Sequence, residues 1–123
     1  MITVPQGAPA LRVPVLQDSL DDRGRVRAGW LFGQMDLAAI LAGERLAHGP
    51  VAAVSVNAFQ LQVPLYLGDV LSLYADCLRK GSSSLVLKIV ASAERADGAI
   101  VPVTEVIMTY VAVDLQGKSR VIA

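Results

Sequence analysis

Two residues of this 123-residue chain have types and spacing suited to carbonyl chemistry. Asp36 is the only charge in the run from Gly29 to Gly43, and Gln34 is that run's only neutral amide. Burying an unpaired charge is expensive, so a carboxylate in such company needs a reason. Two reasons stay open: a structural aspartate that accepts backbone or hydroxyl hydrogen bonds, or a functional group that attacks a carbonyl or activates water. Its helical neighbours, Phe32, Gly33, Ala39 and Ile40, cannot pair with it. Its partner is therefore expected elsewhere: solvent in a cleft, another subunit or a ligand. Gly29 begins the same run. Taken alone it reads as a turn glycine, but free N–H groups at a helix start also favour an oxyanion. Seven residues at ~1.5 Å each put about 10 Å between Gly29 and Asp36. One carbonyl can scarcely meet both. If the two act together, they are expected to come from different subunits, with the site at a dimer interface.

Other candidates are weaker. Arg23, Arg25 and Arg27 alternate in a polar stretch that suits phosphates, or forms a solvated loop balanced by Asp18, Asp21 and Asp22. Lys80-Gly81-Ser82-Ser83-Ser84 reads as a turn, with anion contact as the alternative. Val63-Pro64 and Gly68-Asp69 read as turn punctuation. His48, the one histidine, suits a helix end as a dipole partner or turn residue. With one histidine and the lone Cys77, neither a metal site, an intrachain disulfide nor a cysteine–histidine nucleophile is expected. The serines lack a nucleophile-elbow pattern, and there is no phosphate-cradling or dinucleotide fingerprint.

The element that positions Asp36 is a helix from about Gly29 to Ala47, ended by His48-Gly49-Pro50. It is apolar on every side, which predicts a buried helix wrapped by the rest of the chain. It is too short and too interrupted to span a bilayer, which needs about 20 apolar residues. Before it, Leu11, Val13 and Val15 alternate as a short edge strand, and a polar loop runs from Gln17 to Ala28. After it come four strand-like segments, roughly Val51–Phe59, Val70–Arg79, Ser84–Arg95 and Val101–Asp114. Leu87, Ile89, Ala91 and Ala93 alternate with Lys88, Val90, Ser92 and Glu94, the period of a half-buried strand. Gly81 with three serines turns the second into the third, and Asp97-Gly98 marks a hairpin before the fourth. The expected class is α+β, an antiparallel β-meander curled around one helix.

The whole chain, 1–123, fits a single domain, with residues 1–9 expected to be flexible. Its 54% hydrophobic share exceeds what a small monomer comfortably hides, which points to subunit burial. Zero net charge leaves no footprint for nucleic-acid binding. No basic n-region precedes an apolar run, so no signal peptide is expected and a cytoplasmic protein is.

Four blocks, in order and with compatible spacing, resemble the hot-dog-fold acyl-CoA thioesterases, in particular the bacterial YciA-like hydrolases. Gly24 through Asp36 is similar to that family's glycine, spacer, Phe-Gly-Gly-Trp and helical Met-Asp. Val63-Pro64 through Gly68-Asp69 is similar to its Lys-Pro-Val and Gly-Asp segment, and Gly81–Ser84 to its Gly-Arg-Thr-Ser. Val103-Thr104-Glu105 through Val111–Asp114 resembles its final strand. The resemblance implies a hot-dog fold, an antiparallel sheet wrapped around a long central helix. It implies Asp36 as general base or nucleophile, and the Gly29 N–H on the thioester oxygen. It further implies substrate contacts from Asp21, Arg23 and Trp30, and Lys80, Gly81, Ser82, Ser83 and Ser84 beside coenzyme A. Coenzyme A would be part of the substrate, with no separate cofactor or metal. Family members pair side by side into one extended sheet and commonly assemble as hexamers, trimers of dimers. No nucleic acid or membrane partner is implied.

The chain departs from that pattern around the site. Asp21 and Arg23 stand where the family has asparagine, then histidine or asparagine. Phe-Gly-Gly becomes Arg27-Ala28-Gly29, the lysine before Pro64 is Val63, and the arginine after Gly81 is Ser82. A second carboxylate at Asp21 would lower activity, raise one carboxylate's pKa through like-charge coupling, or shift the substrate. The competing reading is a non-catalytic hot-dog protein that binds acyl thioesters or serves as an assembly module. Hot-dog dehydratases and hydratases need a histidine near the helix start, which is absent. A membrane-associated acyl binder has no basic amphipathic helix to support it.

Overall fold

The computed structural model describes residues 2–57, 59 and 63–122. One helix, α1 (Ala28–Ala47), lies on an antiparallel sheet of β1 (Leu11–Pro14), β2 (Val51–Asn57), β3 (Val70–Lys80), β4 (Ser84–Glu94) and β5 (Ile100–Ala112). This is the expected α+β architecture. The expected extension of β2 through Ala58 lies outside the described residues.

The helix begins without a side-chain cap. Trp30 and Leu31 both donate their N–H to the carbonyl of Arg27, and the N–H groups of Ala28 and Gly29 find no backbone acceptor among the described residues. Its other end is closed tightly. His48 takes the left-handed conformation (φ 54°) and donates its N–H to the Glu44 carbonyl, so it is the turn residue of the two roles considered for it. Two cations complement the helix dipole, Arg45 in the last turn and Arg120 from beyond β5. The Arg120 guanidinium donates to the carbonyls of Ala47 (3.0 Å), Pro50 (3.2 Å) and Val113 (2.8 Å). Gly49 suits this turn because its φ of 154° is one that other residues rarely adopt, and a Cβ on it would also displace the Arg120 Nη2, 2.7 Å away.

The strand order is β1-β3-β4-β5-β2, which corrects the expectation of a four-strand meander. The meander is β3-β4-β5 alone; β2 pairs with β5 at the far edge, Val51 opposite Ala112 and Ala53 opposite Tyr110. The cause is where α1 delivers the chain. A Cβ on Gly43 would lie 3.5 Å from Val51 Cγ2, so the helix ends beside that edge. The Asp97-Gly98 hairpin joins β4 to β5, with the Gly98 N–H on the Arg95 carbonyl (2.9 Å). The Gly81 turn joins β3 to β4, closed by the Gly81 N–H on the Ser84 carbonyl (2.8 Å).

The core lies between α1 and the inner face of the sheet. Leu31, Met35, Ala38 and Ala39 meet Leu71, Leu73, Leu85, Leu87, Ile89, Met108 and Tyr110, all fully or nearly fully buried. Truncating one of these leucines to alanine costs about 2–5 kcal/mol. The opposite side of α1 is open, however. Gly29, Gly33, Leu37 and Leu41 form an exposed stripe with one residue per turn, and Val54 and Val56 of β2 are exposed as well. The sheet thus curls around the helix as expected, and the exposed apolar stripe is left without a covering partner among the described residues.

Candidate functional site

Asp36 projects from the middle of α1 and is half-buried. The partner expected from solvent, a second subunit or a ligand is instead a residue of the same chain: the hydroxyl of Tyr110 on β5 donates a hydrogen bond to Asp36 Oδ1. Tyr110 is fully buried, with Leu85 of β4 on one side and Ala53 of β2 on the other. Its hydroxyl also lies 3.7 Å from Met108 Sδ. Burial, the hydrogen bond and the neighbouring negative charge all push the phenol's pKa far above its usual value of 10. It stays a neutral donor. Asp36 has no ion pair among the described residues.

Sequence reasoning missed Tyr110, although a signal was present. Alternation along β5 places Met108, Tyr110 and Ala112 on the inner face. A tyrosine on an apolar face needs a partner for its hydroxyl. Gln34 and Asp36 are the polar side chains available on the facing helix segment.

Gly29 is exposed, with no atom within 4 Å of where a Cβ would stand. Its free N–H and open surroundings leave room for an approaching oxygen. Trp30, half-buried beside it, leans on the core.

The polar loop before α1 is built around Asp21. Asp21 Oδ1 accepts the N–H groups of Arg23 (2.8 Å) and Arg25 (3.0 Å), and Gly24 turns the chain at φ 78°. The two backbone hydrogen bonds, Arg25 first, hold the Asp21 carboxyl below its usual pKa. At Asp21 itself the shift runs opposite to the raised carboxylate offered as one alternative, because local N–H donors outweigh desolvation. Arg23 and Arg25 point to solvent, and the backbone of Arg25 bridges to Tyr66.

Gly68-Asp69, read as punctuation, does more than turn the chain. Asp69 is buried and forms an ion pair with Arg95. It also accepts the Tyr66 N–H (2.9 Å), while Arg95 donates to the Pro64 carbonyl (3.1 Å) and covers the Tyr66 ring at 5.4 Å. The loop from Val63 to Asp69 is thereby clamped against the start of α1, where the Val26 N–H reaches the Leu65 carbonyl (3.0 Å).

The candidate residues fall into two groups within one protomer. Asp21, Arg23, Gly29 and Trp30 lie at the end of the sheet marked by Leu65 and Tyr66. Lys80–Ser84 lies at the other end, where Ser83 accepts the Ala112 N–H (2.8 Å) and Ser82 the Ile122 N–H (2.7 Å). Tyr110 joins the second group to Asp36: Lys80, Leu85, Tyr110 and Ala53 are in register across four strands. Phe59 packs edge-on against Phe32, one helical turn before Asp36, with ring centroids 5.3 Å apart. Among the described residues no His, Cys, Asp and Glu cluster could hold a metal ion, and no helix is long and apolar enough to cross a membrane.

Comparison with known proteins places this geometry. Residues 24–100, from the Asp21 loop's glycine through the β4–β5 hairpin, match the family model of the Thioesterase superfamily. The chain is 34% identical over 121 residues to the acyl-CoA thioester hydrolase YciA of Escherichia coli K12, covering 95% of this chain and 92% of that protein. It superposes on the hexameric thioesterase y2039 from Yersinia pestis with a TM-score of 0.92 at 32% identity, covering 98% of both chains. A second solved structure, Cj0915, a hexameric hotdog fold thioesterase of Campylobacter jejuni, gives a TM-score of 0.89 at 27% identity, covering 95% of this chain and 91% of that one. The helix laid across its antiparallel sheet is thus a hot-dog fold, and the chain belongs to the thioesterase superfamily.

Proposed function

We propose that this protein hydrolyses acyl-CoA thioesters to free acid and coenzyme A, with Asp36 as the reacting carboxylate. The observation that carries the reading is Asp36 itself: a half-buried carboxylate in mid-helix, with no ion pair among the described residues and one oxygen held by Tyr110. The related proteins of the superfamily named as acyl-CoA thioester hydrolases support the substrate class.

Asp36 acts as general base or as nucleophile. As base, it takes a proton from water; the water oxygen bonds to the thioester carbon, the carbon–sulfur bond breaks, and the thiolate leaves and is protonated. As nucleophile, its oxygen bonds to the thioester carbon as the carbon–sulfur bond breaks and the coenzyme A thiolate leaves. Water then cleaves the resulting anhydride to the free acid and the restored Asp36 carboxylate. In either route the carbonyl oxygen becomes negative, and the free N–H of Gly29 from a neighbouring protomer polarises it. Asp21, Arg23 and Trp30 line the approach at that end, and Lys80–Ser84 receives the coenzyme A portion. Coenzyme A enters as part of the substrate and no separate cofactor is needed.

The working unit is a homodimer, extended to a hexamer as in the hexameric relatives. The exposed apolar stripe of α1 and the open edge at β2 support it. A cytoplasmic location fits a coenzyme A ester substrate. The altered residues around Asp21 and Arg27 favour a second reading, a hot-dog protein that binds acyl thioesters without turning them over.

The test is free-thiol release from short, long and aromatic acyl-CoAs by wild type and Asp36→Asn. We expect wild-type turnover that falls by about 10²–10⁴-fold in the variant. Asparagine still accepts the Tyr110 hydroxyl, so the fold should persist; Asp36→Ala strands that buried donor and should cost about 1–3 kcal/mol. A folded wild type that binds coenzyme A esters without cleaving any of them would establish the binding reading instead.

A further inference from the structure

We propose that Tyr110 is the positioning residue for Asp36: its hydroxyl holds Oδ1 and so presents Oδ2 to water or to the thioester. The inference rests on the thioesterase reading of Asp36 and deepens it.

The phenol is built as a fixed support. Its ring is fully buried in β5, with neighbouring strands on both sides, so the hydroxyl has one place to be. A phenol carries one proton to donate. Of its two neighbours, the Asp36 carboxylate is a far stronger acceptor than the thioether of Met108. Burial and the adjacent charge keep that proton on the phenol at any working pH, so Tyr110 orients the carboxylate and does not itself exchange protons.

Among the described residues, Tyr110 is the side chain that hydrogen-bonds Asp36. β4 turns Leu85, Leu87, Ile89, Ala91 and Ala93 toward the core. The inward side of β3 is apolar except for Cys77, whose thiol is spent on the Arg79 carbonyl (3.5 Å). A half-exposed aspartate on a helix has several side-chain rotamers open to it, and reaction needs one of them. Tyr110 selects it.

Tyr110→Phe removes the donor and leaves the ring, while the aspartate remains solvated. We expect kcat, normalised to folded enzyme, to fall by about tenfold to a hundredfold with KM within about twofold of wild type. The melting temperature should barely move. A separate measurement does not depend on turnover: the carboxyl carbon resonance of Asp36 in labelled protein should shift between wild type and Tyr110→Phe at neutral pH. An unchanged kcat, a rate loss explained by loss of folded protein, or an unmoved Asp36 resonance would overturn the proposal. If wild type cleaves no acyl-CoA, the thioesterase reading fails. The resonance then still decides whether Tyr110 holds Asp36.

Discussion

Gly29 and Gly81 stand at opposite ends of the same protomer, joined by the length of α1. Gly29 opens the helix beside the Leu65 segment, and Gly43, fourteen residues later, lies against Leu85 and Leu87 just after the Gly81 turn. That span is about 21 Å. Asp36 lies between them, about 10 Å from Gly29 along the same helix, so one thioester carbonyl would meet both Gly29 and Asp36 only if the two come from different protomers.

This relationship predicts an assembly whose loss is also loss of activity. Light scattering should report at least a dimer of the 13.0 kDa chain at micromolar concentration. Leu37→Glu on the exposed stripe and Val54→Lys at the β2 edge should shift the protein toward monomer and abolish turnover together. A fully active monomer would remove the shared-site argument.

The Asp69–Arg95 clamp makes a stability prediction. Arg95→Ala leaves a carboxylate that is 4% exposed, with the Tyr66 N–H as its remaining partner among the described residues. Breaking such a pair costs about 3–5 kcal/mol, toward the low end here because the arginine is partly exposed. Arg95→Lys keeps the charge but loses the second donor to Pro64 and the flat contact with Tyr66, and should fall between wild type and alanine. Urea unfolding orders the three. Equal stability of the alanine variant and wild type would show that the clamp is dispensable.

Tyr110 sets an alkaline limit. Its pKa in the folded protein is raised by burial first, then by its hydrogen bond to Asp36 and that residue's charge. The unfolded chain ionises near pH 10 while the folded one does not, so this contribution is intact below about pH 10 and shrinks as pH rises beyond it. Tyr110→Phe should lose stability less steeply than wild type between about pH 10 and 11.5. Parallel curves in thermal melts across that range would contradict it.

The sequence by itself determined the local elements and the singular residue. Glycine, proline and the αL-tolerant end at His48-Gly49-Pro50 punctuate the helix through backbone conformation alone, and two-residue alternation marks β4 without reference to any neighbour. Asp36 was legible because one charge in an apolar run is visible before folding. Only the tertiary structure decided what lies across from what. β2 joins β5 because the helix ends beside that edge, and Tyr110 meets Asp36 across 74 residues of chain. Asp69 finds Arg95 across 26, so a turn signal conceals a buried ion pair. The open face of α1 has the same origin. Apolarity in a sequence says that a surface will be covered, and packing alone decides whether its own chain does the covering.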